Sequence, residues 1–311
     1  MNRNKSAASP YEVLIRRGSR FAGFASSKSF RRIPERSSVL RQSIRCGGVV
    51  SPDTGEVGKT EDMSMIIDEL IQFATPETRD QTVKDIRIGL GYTCVELSGG
   101  GCGLAYTFRN DAGHTCSVLG TAGTLLGLPA ADMLTWAKSD NKIKAALGLA
   151  TMNALMNRES LDMTRANVAD ALVLKPQDTF GMVGAFRPIL KEIRSRVGKI
   201  FVFEEEIEDG SGFYPSEDIP RYLPNCDVII LTATSLINGT IDSILTHCRG
   251  AREVCLVGPS TPMCSAVFSR YGITLLAGSL VTRPDLALEI VSQGGGTRNL
   301  RPAIEHVLLK I

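Results

Sequence analysis

"DTFGMVGAFRPILKEIRSRVGKIFVFE", residues 178–204, reads as strand, turn, helix and strand in succession. "DTFGMVGAF" is an apolar run broken by glycines, "RPILKEIRSRV" follows a proline with helical spacing, and "KIFVFE" is apolar again. The alternation continues downstream. "CDVIILTAT" (226–234), "EVCLVG" (253–258) and "TLLAG" (274–278) read as strands, while "NGTIDSILTHC" (238–248) and "TPMCSAVFSRYG" (261–272) read as helices. Near-continuous apolar strands separated by helices imply a parallel sheet covered on both faces.

Upstream the pattern is different. Ile66, Ile67, Leu70, Ile71 and Phe73 fit one helical face. Four β-like runs follow, "VKDIRIGL" (83–90), "TCVEL" (93–97), "GLAYTF" (103–108) and "TCSVL" (115–119), separated by Gly-rich or Asn-Asp-Ala-Gly turns. They predict a small antiparallel meander. Two helices come next, "PAADMLTWAK" (129–138) and "NKIKAALGLATMNALMNR" (141–158). Strands first and helices after indicate an α+β unit. The expected fold class is therefore α/β: a small α+β domain over 63–160, a polar boundary within 158–178, and a parallel-sheet domain over 165–311.

Residues 1–62 are Ser- and Arg-rich without periodicity, and are expected to be mostly disordered. Two readings stand: an organellar transit segment, or a start codon placed too early, with Met63 as the natural beginning. The whole chain carries a net charge of +2, and residues 1–62 alone carry twelve Lys/Arg against six Asp/Glu, so the remaining 249 residues are left at −4. The basic excess belongs to the leader, which argues against a nucleic-acid partner. No apolar run reaches the ~18 residues that span a bilayer, "AALGLATMNALM" being interrupted by Thr151 and Asn153. No membrane role is expected. Eight cysteines scattered over 311 residues, with no C-x-x-C, suit reduced thiols in a cytoplasm-like compartment better than a disulfide framework or a zinc ribbon.

Ligands of an open parallel sheet bind beyond the carboxyl ends of its strands, and this sequence places turn chemistry at four such ends. Gly184, Ala185, Phe186 and Arg187 follow the first strand, with Pro188 opening a helix whose N–H groups would face an anion. Glu204 ends the second, twenty residues beyond Gly184, the spacing at which a dinucleotide-fold carboxylate meets a ribose hydroxyl. Thr232, Thr234, Asn238, Gly239 and Thr240 follow the third. "GPSTP" follows the fourth and puts Ser260 or Thr261 at an N-cap before Pro262. Each has a structural alternative: tight packing at Gly184, a cap at Ser260 or Thr261, and a solvated strand end where Glu204 precedes Glu205 and Glu206. The fingerprint G-x-G-x-x-G is missing, and no paired-carboxylate or Ser/His/Asp arrangement names a reaction.

Cys102 in "GGGCG", with His114 and Cys116 two apart on a predicted strand, is the candidate ligand set for a heavy or transition-metal ion. His247, Cys248 and His306 are isolated further candidates. Asn153 shares a helix face with Ala146, Leu149 and Ala150, so its amide must find partners inside packed surface, in a loop or in an interdomain cleft.

Taken in order, "SDNKIKAALGLATMNAL", "GMVGAF", "VFE", "TATSLINGT" and "VGPSTP" resemble the putative heavy-metal-chelation family of bacterial and archaeal proteins, over residues 63–311. The resemblance implies a domain similar to the N-terminal domain of enolase joined to a Rossmann-like domain, with the ligand in the cleft between them. The positions matching its cleft motifs are Gly184, Phe186, Glu204, Thr234, Asn238, Gly239, Ser260 and Thr261. Arg283 in "LVTRPD" departs from an expected acid, which would favour a more anionic ligand if that position touches it. The function so implied is binding of a metal ion, or of a small metal-bearing or anionic molecule. The alternative is an enzyme using a nucleotide-like cofactor, S-adenosylmethionine or NAD, at the same strand ends.

Overall fold

The computed structural model describes residues 65–112, 117–160, 162–207 and 210–311, all within one compact unit. The expected leader, 1–62, lies outside the described residues. The small sheet is antiparallel, with β1 (Val83–Ile88), β2 (Tyr92–Leu97) and β3 (Cys102–Tyr106) in that order. The fourth run expected in this meander forms no strand over its described residues, 117–119, while 115 and 116 lie outside them.

The large sheet has eight strands: β4 (Met163–Thr164), β5 (Thr179–Val183), β6 (Lys199–Glu204), β7 (Tyr214–Pro215), β8 (Val228–Thr232), β9 (Glu253–Val257), β10 (Leu275–Val281) and β11 (Ile304–Lys310). Their order across the sheet is β4-β11-β10-β9-β8-β5-β6-β7. The six from β10 to β7 are parallel neighbours, while β11 runs antiparallel to β10 and β4 antiparallel to β11. The fold is thus mixed α/β, with a mainly parallel sheet and a separate small antiparallel one. Two antiparallel edge members were not expected from the apolar runs.

Alternation along the strands explains the layers. Phe180, Met182, Val202, Ile230 and Cys255 face one side and pack with Leu190 and Ile193 of the helix Arg187–Ile193. Val183, Phe201, Phe203, Ile229, Leu231 and Leu256 face the other. That second face shares its core with the helix Lys142–Met156 and with Val95, Leu97 and Ala105 of the small sheet. A parallel strand buried on both faces carries an apolar residue at every position, which is why these segments do not alternate with polar residues.

The helix Lys142–Met156 is buried almost all round, from Ile143 to Leu155. Asn141 caps it, its side chain accepting from the N–H groups of Ile143 at 3.0 Å and Lys144 at 3.1 Å. Gly103 lets β3 lie against it: a Cβ there would stand 2.1 Å from the carbonyl oxygen of Ala150. At the end of this helix Asn157 donates to the carbonyls of Thr261, at 2.9 Å, and Ser279, at 3.3 Å, and accepts from the N–H of Met263 at 2.9 Å. One amide thereby fixes the loop after β9 and the middle of β10. Asn153 donates to the carbonyl of Leu104 at 2.8 Å, so its partner is a strand.

Candidate functional site

The strand order reverses between β5 and β8, and a cavity of about 720 Å³ opens beyond the carboxyl ends of β5, β6, β8 and β9. Such a reversal parts the loops on either side of the central strands, which is why open α/β sheets carry ligand crevices there. Tyr92 and Tyr106 of the small sheet and Phe108 just beyond it form another wall, Tyr106 standing edge-on to both Tyr92 and Phe108 with ring centroids 6.3 and 5.2 Å apart.

The turn after β5 supplies Gly184, Ala185 and Phe186 to this cavity. Gly184 has φ +85°, and a Cβ there would stand 2.8 Å from Cβ of Thr232, so both conformation and space require glycine. The N–H of Gly184 bonds to the carbonyl of Phe203 at 2.9 Å, and that of Ala185 to Oε1 of Glu204 at 2.5 Å. The N–H groups of Phe186 and Arg187 bond, each at 3.1 Å, to the carbonyls of Gly184 and Ala185. The expectation that this turn presents open donors to an anion is therefore corrected: the protein's own oxygens take all four.

Glu204 ends β6 half-buried, and burial pushes its carboxyl above the ordinary range, opposed by the Ala185 bond and reinforced by the neighbouring charge of Glu205. Glu205 accepts from Asn238 Nδ2 at 2.7 Å. Asn238 Oδ1 in turn accepts from the backbone N–H and the hydroxyl of Thr240, at 3.2 and 2.8 Å, shaping the loop that enters the helix Ile241–Thr246. The Thr232 and Thr234 hydroxyls lie 2.9 Å apart.

Ser260 and Thr261 do not cap a helix. The helix beyond them is Ser265–Phe268, and the intervening segment turns, with Thr261 N–H bonded to the carbonyl of Gly258 and Cys264 N–H to that of Pro262, each at 3.0 Å. Ser260 Oγ accepts from the N–H of Tyr106 at 2.8 Å, and the buried Thr261 hydroxyl donates to the carbonyl of Ala277 at 3.2 Å. Of the residues expected at a site, Gly184, Phe186, Glu204, Thr234, Asn238 and Ser260 line the cavity, while Arg187, Gly239 and Thr261 do not. Arg187 lies over the ring of Phe213, 5.7 Å from its centroid. Arg283 is exposed at the start of the helix Pro284–Ser292 and is not part of the lining.

Residues missed by the sequence reading complete the cavity: Tyr92, Tyr106, Phe108, Arg109, Asp111, Glu217 and, next to the Glu204 that it did name, Glu205 and Glu206. Asn-Asp in the turn after "AYTF" was the one signal for Asp111; nothing in a meander marks which aromatics will face a distant sheet. Asp111 is held by Lys142 at 3.1 Å, whose ammonium also lies over Phe108 at 5.0 Å from the centroid.

His114 and Cys116, expected with Cys102 as metal ligands, lie outside the described residues. Cys102 is buried beneath the helix Pro284–Ser292, its sulfur 3.4 Å from that of Cys94. His247 lines the cavity, Cys248 is buried, and His306 pairs with Ser279 in β10 and β11. Among the described residues no group of three His, Cys, Asp or Glu side chains could hold a metal ion. Nor is any helix among them long and apolar enough to cross a membrane.

Two family models match the chain in the order of its two sheets. Residues 71–156 match DUF4213 and residues 167–310 match DUF364, both described as "Putative heavy-metal chelation". An uncharacterized protein of Methanocaldococcus jannaschii is 27% identical over 239 residues, covering 72% of this chain and 90% of its own. Two solved structures of DUF364 proteins of unknown function share the fold. That from Pyrococcus horikoshii has a TM-score of 0.70 at 21% identity, covering 79% of this chain and all of its own. That from Desulfitobacterium hafniense has a TM-score of 0.68 at 25% identity, covering 81% and all. With both sheets matched in sequence and the fold shared with solved members, the chain belongs to the putative heavy-metal-chelation family.

Proposed function

We propose that the cleft binds a metal in the form of a small metal-bearing molecule. The observation that carries this reading is the cavity itself: about 720 Å³, with an aromatic wall on one side and the carboxylates of Asp111, Glu204, Glu205, Glu206 and Glu217 in its lining. Sites of ~300–1,000 Å³ suit ligands of cofactor size, whereas a bare ion needs converging donors within bonding distance. The described residues gather no such donor set, so the bound molecule brings its own ligands to the metal. An acidic lining and a turn whose donors are already taken favour a cationic complex over an anionic one. Eight cysteines scattered over a chain of 311 residues without a C-x-x-C support a reducing, cytoplasm-like compartment.

A second reading rests on Glu204, which stands at the end of β6 beside the turn after β5, where a nucleotide-like cofactor such as S-adenosylmethionine or NAD would place its ribose. Thermal melting separates the two. Hexaamminecobalt(III), as a cationic complex, is expected to raise the Tm of the parent and not of Glu205→Gln, at concentrations where cobalt(II) alone has no effect. Stabilisation by NAD or S-adenosylmethionine with none by the complex would replace the first reading with the enzyme. Stabilisation by cobalt(II) alone would return the site to a bare ion.

A further inference from the structure

The small sheet ends on β1, and the outer edge of that strand is closed at its start alone. There Val83 makes both backbone bonds to the segment beside it, its N–H reaching the carbonyl of Leu128 and its carbonyl taking the N–H of Gly127, each at 2.9 Å. Among the described residues no such partner continues along the rest of the strand. Gly89 turns inward, its N–H bonding to the carbonyl of Tyr92 at 2.8 Å, and the same register sets Arg87 against Cys94 and Asp85 against Glu96. Antiparallel strands alternate inward and outward backbone groups, so the N–H and C=O groups of Ile86 and Ile88 point away from β2. Three exposed apolar side chains stand on this same edge: Ile88 at 42%, Leu90 at the hairpin tip at 64%, and Leu126, next to Gly127, at 65%.

We propose that this edge is a homodimer interface, at which β1 pairs antiparallel with β1 of a second copy of the chain and joins the two small sheets into one of six strands, three from each copy. The surface is separate from the cleft, whose lining includes none of Ile86, Ile88, Leu90 and Leu126.

A second copy is the occupant because the edge is complementary to itself. The open stretch has one exposed leucine at each end, Leu126 where the edge is closed and Leu90 at the hairpin tip. A twofold axis through its middle reverses it, so that Leu90 of each copy reaches Leu126 of the other while the free groups of Ile86 and Ile88 meet their counterparts. A strand of another protein would gain the backbone bonds without the two matched leucine contacts. Charge agrees with this. Edge strands usually fend off neighbours with lysine and unpaired charge. Here Lys84 is engaged by Glu96 at 2.7 Å, and Asp85 holds Arg87 through two bonds of 2.8 Å. Reversing the strand interleaves Asp85 and Arg87 of one copy with those of the other, so opposite charges alternate across the seam. The bulge between Val83 and Asp85 falls at the closed end and leaves the groups of Ile86 and Ile88 available.

The test is sedentation-free of any ligand: light scattering and sedimentation equilibrium on the full-length protein, which should be dimeric and dissociate on dilution. Ile88→Pro removes an outward N–H and leaves the bonds to β2 intact, so it should be a folded monomer. Leu90→Asp and Leu126→Asp, at exposed positions, should each weaken the dimer about 100-fold, because twofold symmetry loses the contact twice. Leu90→Asp combined with Leu126→Lys should restore it, which a general loss of stability would not allow. Hydrogen exchange supplies a readout without substitution: the Ile86 and Ile88 amides should be protected in the concentrated parent and exposed on dilution. Thermal melting shows which variants are folded, and the leucine variants decide the matter if Ile88→Pro is not. A parent that is monomeric at every soluble concentration overturns the proposal, even if another protein pairs with the edge, and so does a dimer that survives both aspartate substitutions.

Discussion

The hydroxyl oxygen of Ser260 accepts the backbone N–H of Tyr106 at 2.8 Å, tying the loop after β9 to the last residue of β3. Both residues line the cavity, so the bond joins its two walls. Ser260→Ala removes the acceptor and leaves a part-buried N–H without this partner, which costs about 1–3 kcal/mol. Urea denaturation should show that loss, with faster hydrogen exchange at the Tyr106 amide. A variant as stable as the parent, with unchanged exchange at that amide, would show that the walls are held together elsewhere.

Glu204 gives a pH dependence with a definite sign. Its carboxyl is raised above the ordinary value of 4.5, chiefly by burial, so the folded protein holds that proton more firmly than the unfolded chain. Its contribution is fully present below the ordinary value and is lost as pH rises through the folded one. Glu204→Gln keeps an oxygen for the Ala185 N–H and removes the charge. At pH 7 it should melt higher than the parent, by no more than the ~2–4 °C that 1 kcal/mol produces in a domain of this size. The gain should vanish near pH 4. A variant that melts lower at pH 7 would mean the charge on Glu204 stabilises the turn.

Much of the parallel sheet was legible in the sequence because its strands are buried on both faces: "KIFVFE" coincides with β6, and the runs at 226–234 and 253–258 contain β8 and β9. What escaped lacked that signal. β4 and β7 are two residues long and exist only through pairing with β11 and β6. β11 could have been found from "AIEHVLLK", although an antiparallel return strand after a run of parallel ones contradicts the pattern. Turn chemistry located the strand ends but could not say where each donor goes. Ser260 serves Tyr106 rather than a helix end, and Asn157, one turn beyond the Asn153 that periodicity singled out, holds the second half of the chain.

Gly184 and Gly239 both adopt positive φ, +85° and +74°, but only Gly184 is crowded. A Cβ at Gly184 would meet Thr232 at 2.8 Å, whereas one at Gly239 would find nothing among the described residues within 4 Å. Alanine in the left-handed region costs about 1–2 kcal/mol from conformation alone. Gly239→Ala should show about that much by chemical denaturation, and Gly184→Ala more, because Thr232 has to shift as well. Equal losses would mean that contact with Thr232 does not constrain the turn, and that conformation alone keeps glycine there.

The last prediction sets two buried asparagines of one helix end against each other. Asn157 uses both ends of its amide: the nitrogen serves the carbonyls of Thr261 and Ser279, and the oxygen accepts from Met263. Asn153 uses one end, donating to Leu104, while its Oδ1 is buried without a partner among the described residues. Truncating Asn157 therefore strands several groups at once, each worth about 1–3 kcal/mol when left unpaired, in the loop that carries Ser260 to the cavity. Truncating Asn153 gives up one hydrogen bond but also removes an oxygen already buried without compensation, so the two effects partly cancel. Both alanine variants lose the same side-chain volume, which makes the comparison direct. Asn157→Ala should cost roughly 2 kcal/mol more than Asn153→Ala by urea denaturation at matched m-values. Only Asn157→Ala should loosen hydrogen exchange at Met263. If Asn153→Ala proved the costlier, its unpaired oxygen would have to be satisfied in solution, and the clamp on the loop would have to come from the buried Thr261 hydroxyl and its bond to Ala277.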